Sequence, residues 1–252
     1  MPHIDQVHIA SEFDPIDDIA ISIGSALKTI ISKYGGRLQL LNVPAAAPPD
    51  APRIIATTQN FVLNIAPVRY DVHITVPTQI STDFYKVMDF ITNLFTKLGG
   101  DLAQLKLSYQ WVGLVINLEY PGAAAGIPGI QLSEPVFDRL LSVSRGTRKL
   151  AAFQTQFGFE EGSLNKIFTV SAYDSMKIKI DPAKMQQKML RVDRETADIV
   201  ESGISVSLDV NNKPAKNRAG LVHDFHLIAQ ASRQLYALLP DTLNLKGIIS
   251  NE

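Results

Sequence analysis

The sequence predicts an α+β fold of two pseudo-repeated units, each an antiparallel β-meander covered by helices on one face. Three observations predict it. The second half replays parts of the first: RIIATTQ (53–59) reads against RKLAAFQ (148–154), NFVLNIAPVRYDVHITVP (60–77) against NKIFTVSAYDSMKIKIDP (165–182), and VHIASEF (7–13) against LVINLEY (114–120). The offsets of about 95 to 107 residues are on the scale of a domain rather than of a solenoid repeat. Short β-rich runs joined by tight connections give the meanders. Stripes of apolar residues at helical spacing give their cover. The units divide as 1–110 and 111–252, closely packed, and their sheets are expected to join edge to edge or face to face.

Residues 7–13 read as an edge-type strand that ends at the turn signal Asp14-Pro15. From 16 to 34, Ile16, Ile19, Ile23, Leu27, Ile30 and Ile31 recur at helical spacing, with Asp17 and Asp18 expected in the first turn, Lys33 in the last, and Gly35-Gly36 as the stop. Residues 37–43 read as a strand and the Pro-rich stretch 45–52 as an exposed loop. Three short strands follow at 53–58, 61–66 and 70–76, then an amphipathic helix at 84–98 with Gly99-Gly100 as its stop. A long β run, 105–120, changes phase: Leu105, Leu107, Tyr109 and Trp111 alternate on one parity, Leu114, Ile116, Leu118 and Tyr120 on the other. Such a slip flips every side chain, so a β-bulge is expected at Gly113.

In the second unit 121–128 reads as a flexible connector and 134–143 as a short helix. Strands are expected at 149–157, 166–172, 176–180 and 203–210, with a polar addition at 181–202. A long helix, 219–239, closes the chain and is expected to stop at Pro240.

At 46% hydrophobic and 19% charged, the chain has ample material for a core. A formal net charge of −1 gives no global attraction to nucleic acid or to anionic membrane. With no cysteine, thiol catalysis, disulfides and thiolate metal sites are excluded. The N-terminal MPHIDQVHIASEFD has no secretory pattern and no run reaches the length of a membrane span, so a cytoplasmic protein is expected.

Few residues suggest chemistry. His223, Asp224 and His226 in HDFH are the candidate metal ligands, since imidazole and carboxylate bind divalent ions and positions three apart share a helix face. The plainer reading makes the two histidines flanks of a buried stripe. Asp71 and His73, two apart on a strand, share a face, but no GxSxG elbow supplies a nucleophile beside them. Lys177, Lys179, Lys184, Lys188, Arg191 and Arg194 form a loose basic cluster, from which Lys177, Lys179, Lys188 and Arg191 are the candidate anion or nucleic-acid contacts. No aromatics interleave for base stacking. Tyr109 and Trp111, on one face of the long strand, are either core between the units or an interaction surface. The glycines of 121–128 lack dinucleotide-site spacing. No catalytic residue and no cofactor site is assigned.

WVGLVINLEYP (from Trp111), SVSLDVNNKP (from Ser205) and VHDFHLIAQASRQLYALLPDTL (from Val222) resemble, respectively, the "RxGLRYIN" strand, the late "DxD" strand and the closing helix of a sporadically distributed bacterial protein family of unknown function. The chain has Val115 where that strand favours Arg, and Asn211 where the second Asp would fall. The resemblance implies no activity. The expected function is that of a non-enzymatic interaction or scaffold protein, a subunit of a larger bacterial or phage assembly with a protein partner or a second copy. The alternatives are a nucleic-acid or nucleotide-binding accessory factor using the lysines above, and a metal-dependent hydrolase using HDFH.

Overall fold

The computed structural model describes residues 1–44, 46–122, 128–141, 147–177, 198–214 and 219–242. Its frame is one antiparallel sheet of nine strands, in the order β2-β3-β4-β5-β1-β6-β9-β8-β7. In chain order the elements are β1 (Gln6–Phe13), α1 (Ile19–Ser32), β2 (Arg37–Leu40), β3 (Ile54–Thr57), β4 (Phe61–Ala66), β5 (Arg69–Thr75) and α2 (Phe84–Ala103). Then come β6 (Tyr109–Pro121), α3 (Gly129–Leu132), α4 (Glu134–Leu140), β7 (Gln154–Glu161), β8 (Leu164–Lys177), β9 (Asp198–Asn211) and α5 (Leu221–Thr242).

The two halves meet edge to edge. β1 pairs on one side with β5 and on the other with β6, Val7 opposite Ile116 and Ile9 opposite Leu114. In the first half β1 is followed by a helix and four meander strands, β2 to β5, and in the second β6 is followed by two short helices and three, β7 to β9; the last strand of each returns beside the first, β5 beside β1 and β9 beside β6. A long helix closes each half. The boundary expected between 110 and 111 falls inside β6, and one hydrophobic cluster takes residues from both sides of it. The reason is register. Val7, Ile9 and Phe13 face the helices, as do Val112, Leu114 and Ile116, so pairing β1 with β6 merges two apolar faces into one.

Among the described residues, helices cover that face alone. α2 and α5 cross over its centre, with the Phe84 and Tyr236 rings stacked at 3.8 Å and Phe95 against Phe225 at 4.2 Å. α2 runs through Gly99-Gly100 rather than stopping there. A Cβ on Gly99 would sit 3.2 Å from Val222 Cγ2, so the glycine serves a close helix crossing. Asp17 and Asp18 lie before α1 rather than in its first turn, because Asp18 adopts a left-handed φ of 46° and only then does the helix begin. α5 continues two residues past Pro240.

The second half departs most from expectation. β7 starts at Gln154, five residues after the expected 149, because Phe153 packs against Phe137 of α4 (ring centroids 6.3 Å apart) instead of entering the strand. Residues 164–177 form one strand where two were expected, so 60–77, a hairpin, does not match 165–182 element for element. β6 begins at Tyr109, and Leu105 and Leu107 lie outside it. Its irregularity is at Gln110, not Gly113: Glu12 pairs with Trp111 and Phe13 with Tyr109. Tyr109 and Trp111 therefore point to opposite faces, against expectation. No helix among the described residues is long and apolar enough to cross a membrane.

Candidate interaction surface

The face opposite the helices carries polar side chains. Period-two alternation puts the partners of each buried residue there: His8 between Val7 and Ile9, Asp71 and His73 around Val72, Asp209 between Leu208 and Val210. Strand pairing then aligns them across strands. His73, His8, Val115, Asp209 and Ile167 make one row, and Asn64, Asp71, Ala10, Gly113, Asn211 and Asn165 the next.

At the centre of the first half, Asp71 is held by two partners. His8 Nε2 lies 2.8 Å from Asp71 Oδ1, and Arg69 Nε donates to Oδ2 at 2.9 Å while its terminal nitrogen donates to Oδ1. Burial alone would raise the Asp71 carboxyl, but the hydrogen bonds and charges of His8 and Arg69 outweigh it and hold the group below its ordinary range. The His8 and His73 rings stack at 4.6 Å, nearly parallel at 7°. Partial burial and then the charge of His8 depress the His73 imidazole, partly opposed by Asp71.

A second cluster sits over the junction. Lys213 Nζ lies 4.9 Å above the Trp111 ring and 3.6 Å from Glu12 Oε1. The Trp111 ring lies over Gly113, whose Cβ, if present, would be 3.3 Å from Cζ3 and 2.9 Å from Asn211 Cβ. That explains the glycine without a bulge. Trp111 Nε1 is buried with no hydrogen-bond partner among the described residues. Beyond it, Asn165 donates to Asn211 Oδ1 at 3.1 Å and Asn211 to Asp209 Oδ1 at 2.9 Å. The face is thus a sheet of side chains bonded mainly to one another, with both signs of charge interspersed.

The expected site residues scatter relative to this surface. Trp111 lies on it. Tyr109 does not: its hydroxyl points into the helix layer and donates to Asp224 Oδ2 at 2.6 Å, so its place in an interaction surface is withdrawn. Asp224, 5% exposed, also accepts from Asn212 Nδ2 at 3.2 Å, and Asn212 Oδ1 accepts from the Val112 N–H at 2.9 Å. The Gly220 N–H completes the set by donating to Tyr109 Oη at 3.0 Å. His223 and His226 are exposed, His226 within 3.2 Å of Thr96 Oγ1, so HDFH turns its carboxylate inward and its imidazoles outward. Among the described residues no three His, Asp or Glu side chains come together as a metal site.

Lys177 ends β8, exposed and opposite Asp198 of β9. Lys179, Lys184, Lys188, Arg191 and Arg194 lie outside the described residues. Sequence reasoning singled out Asp71 and His73 but missed His8, Glu12, Arg69 and Lys213. Alternation places each on the polar face of its own strand; which strands neighbour one another has no sequence signal. The three segments carrying the family resemblance lie together, as β6, its neighbour β9, and α5 packed on both, pinned by the Asp224 network. No protein-family model matches the chain, and no curated protein matches it in sequence.

Proposed function

We propose that this chain is a non-enzymatic interaction or scaffold protein, a subunit of a larger cytoplasmic assembly of bacterial or phage origin, and that the polar sheet face is its partner-binding surface. The chain is on this reading a duplicated α+β unit, related to the sporadically distributed family whose segments it resembles. The observation that carries the reading is the one-sided sheet: among the described residues the helices lie on one face, while the other presents a broad array of half-exposed polar groups with Trp111 among them. Tryptophan and arginine are enriched where interfaces concentrate binding energy. The side chains of this face are hydrogen-bonded and ion-paired mainly with one another, which suits a docking surface.

The test is the mass of the protein drawn from its own cells, by native mass spectrometry, with and without charges placed on this face. Asn117→Arg, at an exposed position of β6 on the polar face, is expected to weaken partner binding at least tenfold. Lys97→Glu, on the exposed side of α2, is expected to leave it unchanged. A clean monomer without partner, or equal effects of the two substitutions, overturns the proposal.

A further inference from the structure

β7 is an outer edge of the sheet, and among the described residues nothing pairs with its free side. Proteins ordinarily blunt such edges with lysine, proline, a bulge or brevity. The opposite edge, β2, follows that rule with four residues opening on Arg37. β7 does not. It is eight residues long, QTQFGFEE, with no basic residue and no proline, and its pairing with β8 has no register shift. On its helix-side face Phe157 is half-buried and Phe159 is 50% exposed, because α5 leaves this margin of the sheet uncovered. Leu227 of α5 is 43% exposed beside it and lines a cleft with Glu161, Leu164 and Lys166.

We propose that two copies of this chain pair through β7, antiparallel about a dyad at Gly158, into one continuous sheet with both helix layers on the same side. The inference goes beyond the partner reading of the polar face and rests on a different surface. What points to a second copy rather than to a foreign strand is self-complementarity. With Gly158 opposite Gly158 of the partner subunit, Phe157 of each copy falls opposite the other's Phe159, on the apolar face. Aromatic cross-strand pairs of this kind are the stabilising unit of a sheet. On the polar face each Glu160 falls opposite the other copy's Gln156, and on the helix-side face each Glu161 falls opposite the other copy's Thr155. No two carboxylates oppose, although the strand ends in two of them. A strand pair of eight residues, about 27 Å long at roughly 3.4 Å per residue, buries less than a standard interface, so the dimer is concentration-dependent.

The chain has no cysteine, so one introduced thiol reports the dyad without background. Directly opposed antiparallel residues have Cα atoms about 4.5–5.5 Å apart, within disulfide reach. A side chain at Gly158 meets only Ile167 Cγ1, at 4.0 Å, so the monomer tolerates it. Under mild oxidation of the full chain, Gly158→Cys is expected to form a covalent dimer at least tenfold faster than Lys97→Cys. By sedimentation velocity Gln156→Lys, facing Glu160 of the partner subunit in this register, is expected to tighten self-association and Gln156→Glu to weaken it, each by about tenfold. Equal cross-linking rates, a wild-type monomer at every concentration, or Gln156 variants that behave alike overturn the proposal. Any of these leaves the Asn117→Arg measurement of the polar face untouched, so the two readings fail separately.

Discussion

Among the described residues, Asp224 and Lys166 are the two charged side chains that the core takes in, at 5% and 6% exposure. Lys166 answers its burial with Glu161 as ion-pair partner. Asp224 answers with hydrogen bonds from Tyr109 and Asn212, and its helix thereby docks on β6 at the strand's irregular end. Removing the carboxylate takes this acceptor from the buried Asn212 amide and from the part-buried Tyr109 hydroxyl, at about 1–3 kcal/mol for each donor left unsatisfied. Asp224→Ala is therefore expected to lower the urea-unfolding free energy by about 3 kcal/mol, whereas His223→Ala and His226→Ala change it by less than about 0.5 kcal/mol, as exposed positions do. Equal effects of all three would show that the carboxylate does not hold the helix. At this scale the HDFH motif was legible as residues worth weighing. Its direction was not, because helical spacing gives relative angles on a helix and not which of them faces a neighbouring hydroxyl.

Among the elements, β9 is held on both sides where it passes Gly203, which pairs with Pro121 of β6 and with Tyr173 of β8. A Cβ there would fall 2.2 Å from the Tyr120 carbonyl oxygen, a backbone atom that cannot rotate away. Gly203→Ala is expected to destabilise the fold by about 3 kcal/mol, at the upper end of overpacking costs, and to speed amide exchange in both flanking strands. Unchanged exchange in β6 would contradict this. The helices were the most legible elements: Phe84, Val87, Ile91 and Phe95 of α2 are buried, as their spacing implies. The start of β7 is not legible because Phe153 extends the alternation of Phe157 and Phe159 in sequence but packs on α4 instead of joining the strand. β8 was divided in two because residues 174–177 carry no core pattern. Their partners are 198–202 of β9 alone, beyond the end of β6.

For the molecule as a whole, the two halves share one hydrophobic cluster and are expected to unfold as one cooperative unit. Trp111, the only tryptophan, stands on β6 at the β1–β6 junction and reports on it directly. Thermal unfolding followed by its fluorescence and by far-ultraviolet circular dichroism is expected to give coincident transitions. Two separated transitions would mean that the halves are independent domains divided near residue 110. The sequence by itself determined the α+β class, a mixture of meander strands and amphipathic helices, and the apolar face of most elements, because periodicity is a property of a single segment and burial acts on it locally. Only the tertiary structure decided that the halves fuse through β1 and β6, that Tyr109 and Trp111 part to opposite faces at Gln110, and that His8, Asp71 and Arg69 meet. Those outcomes depend on which strands become neighbours and in what register. That choice is made by packing one apolar face against the helices, and no single segment encodes it.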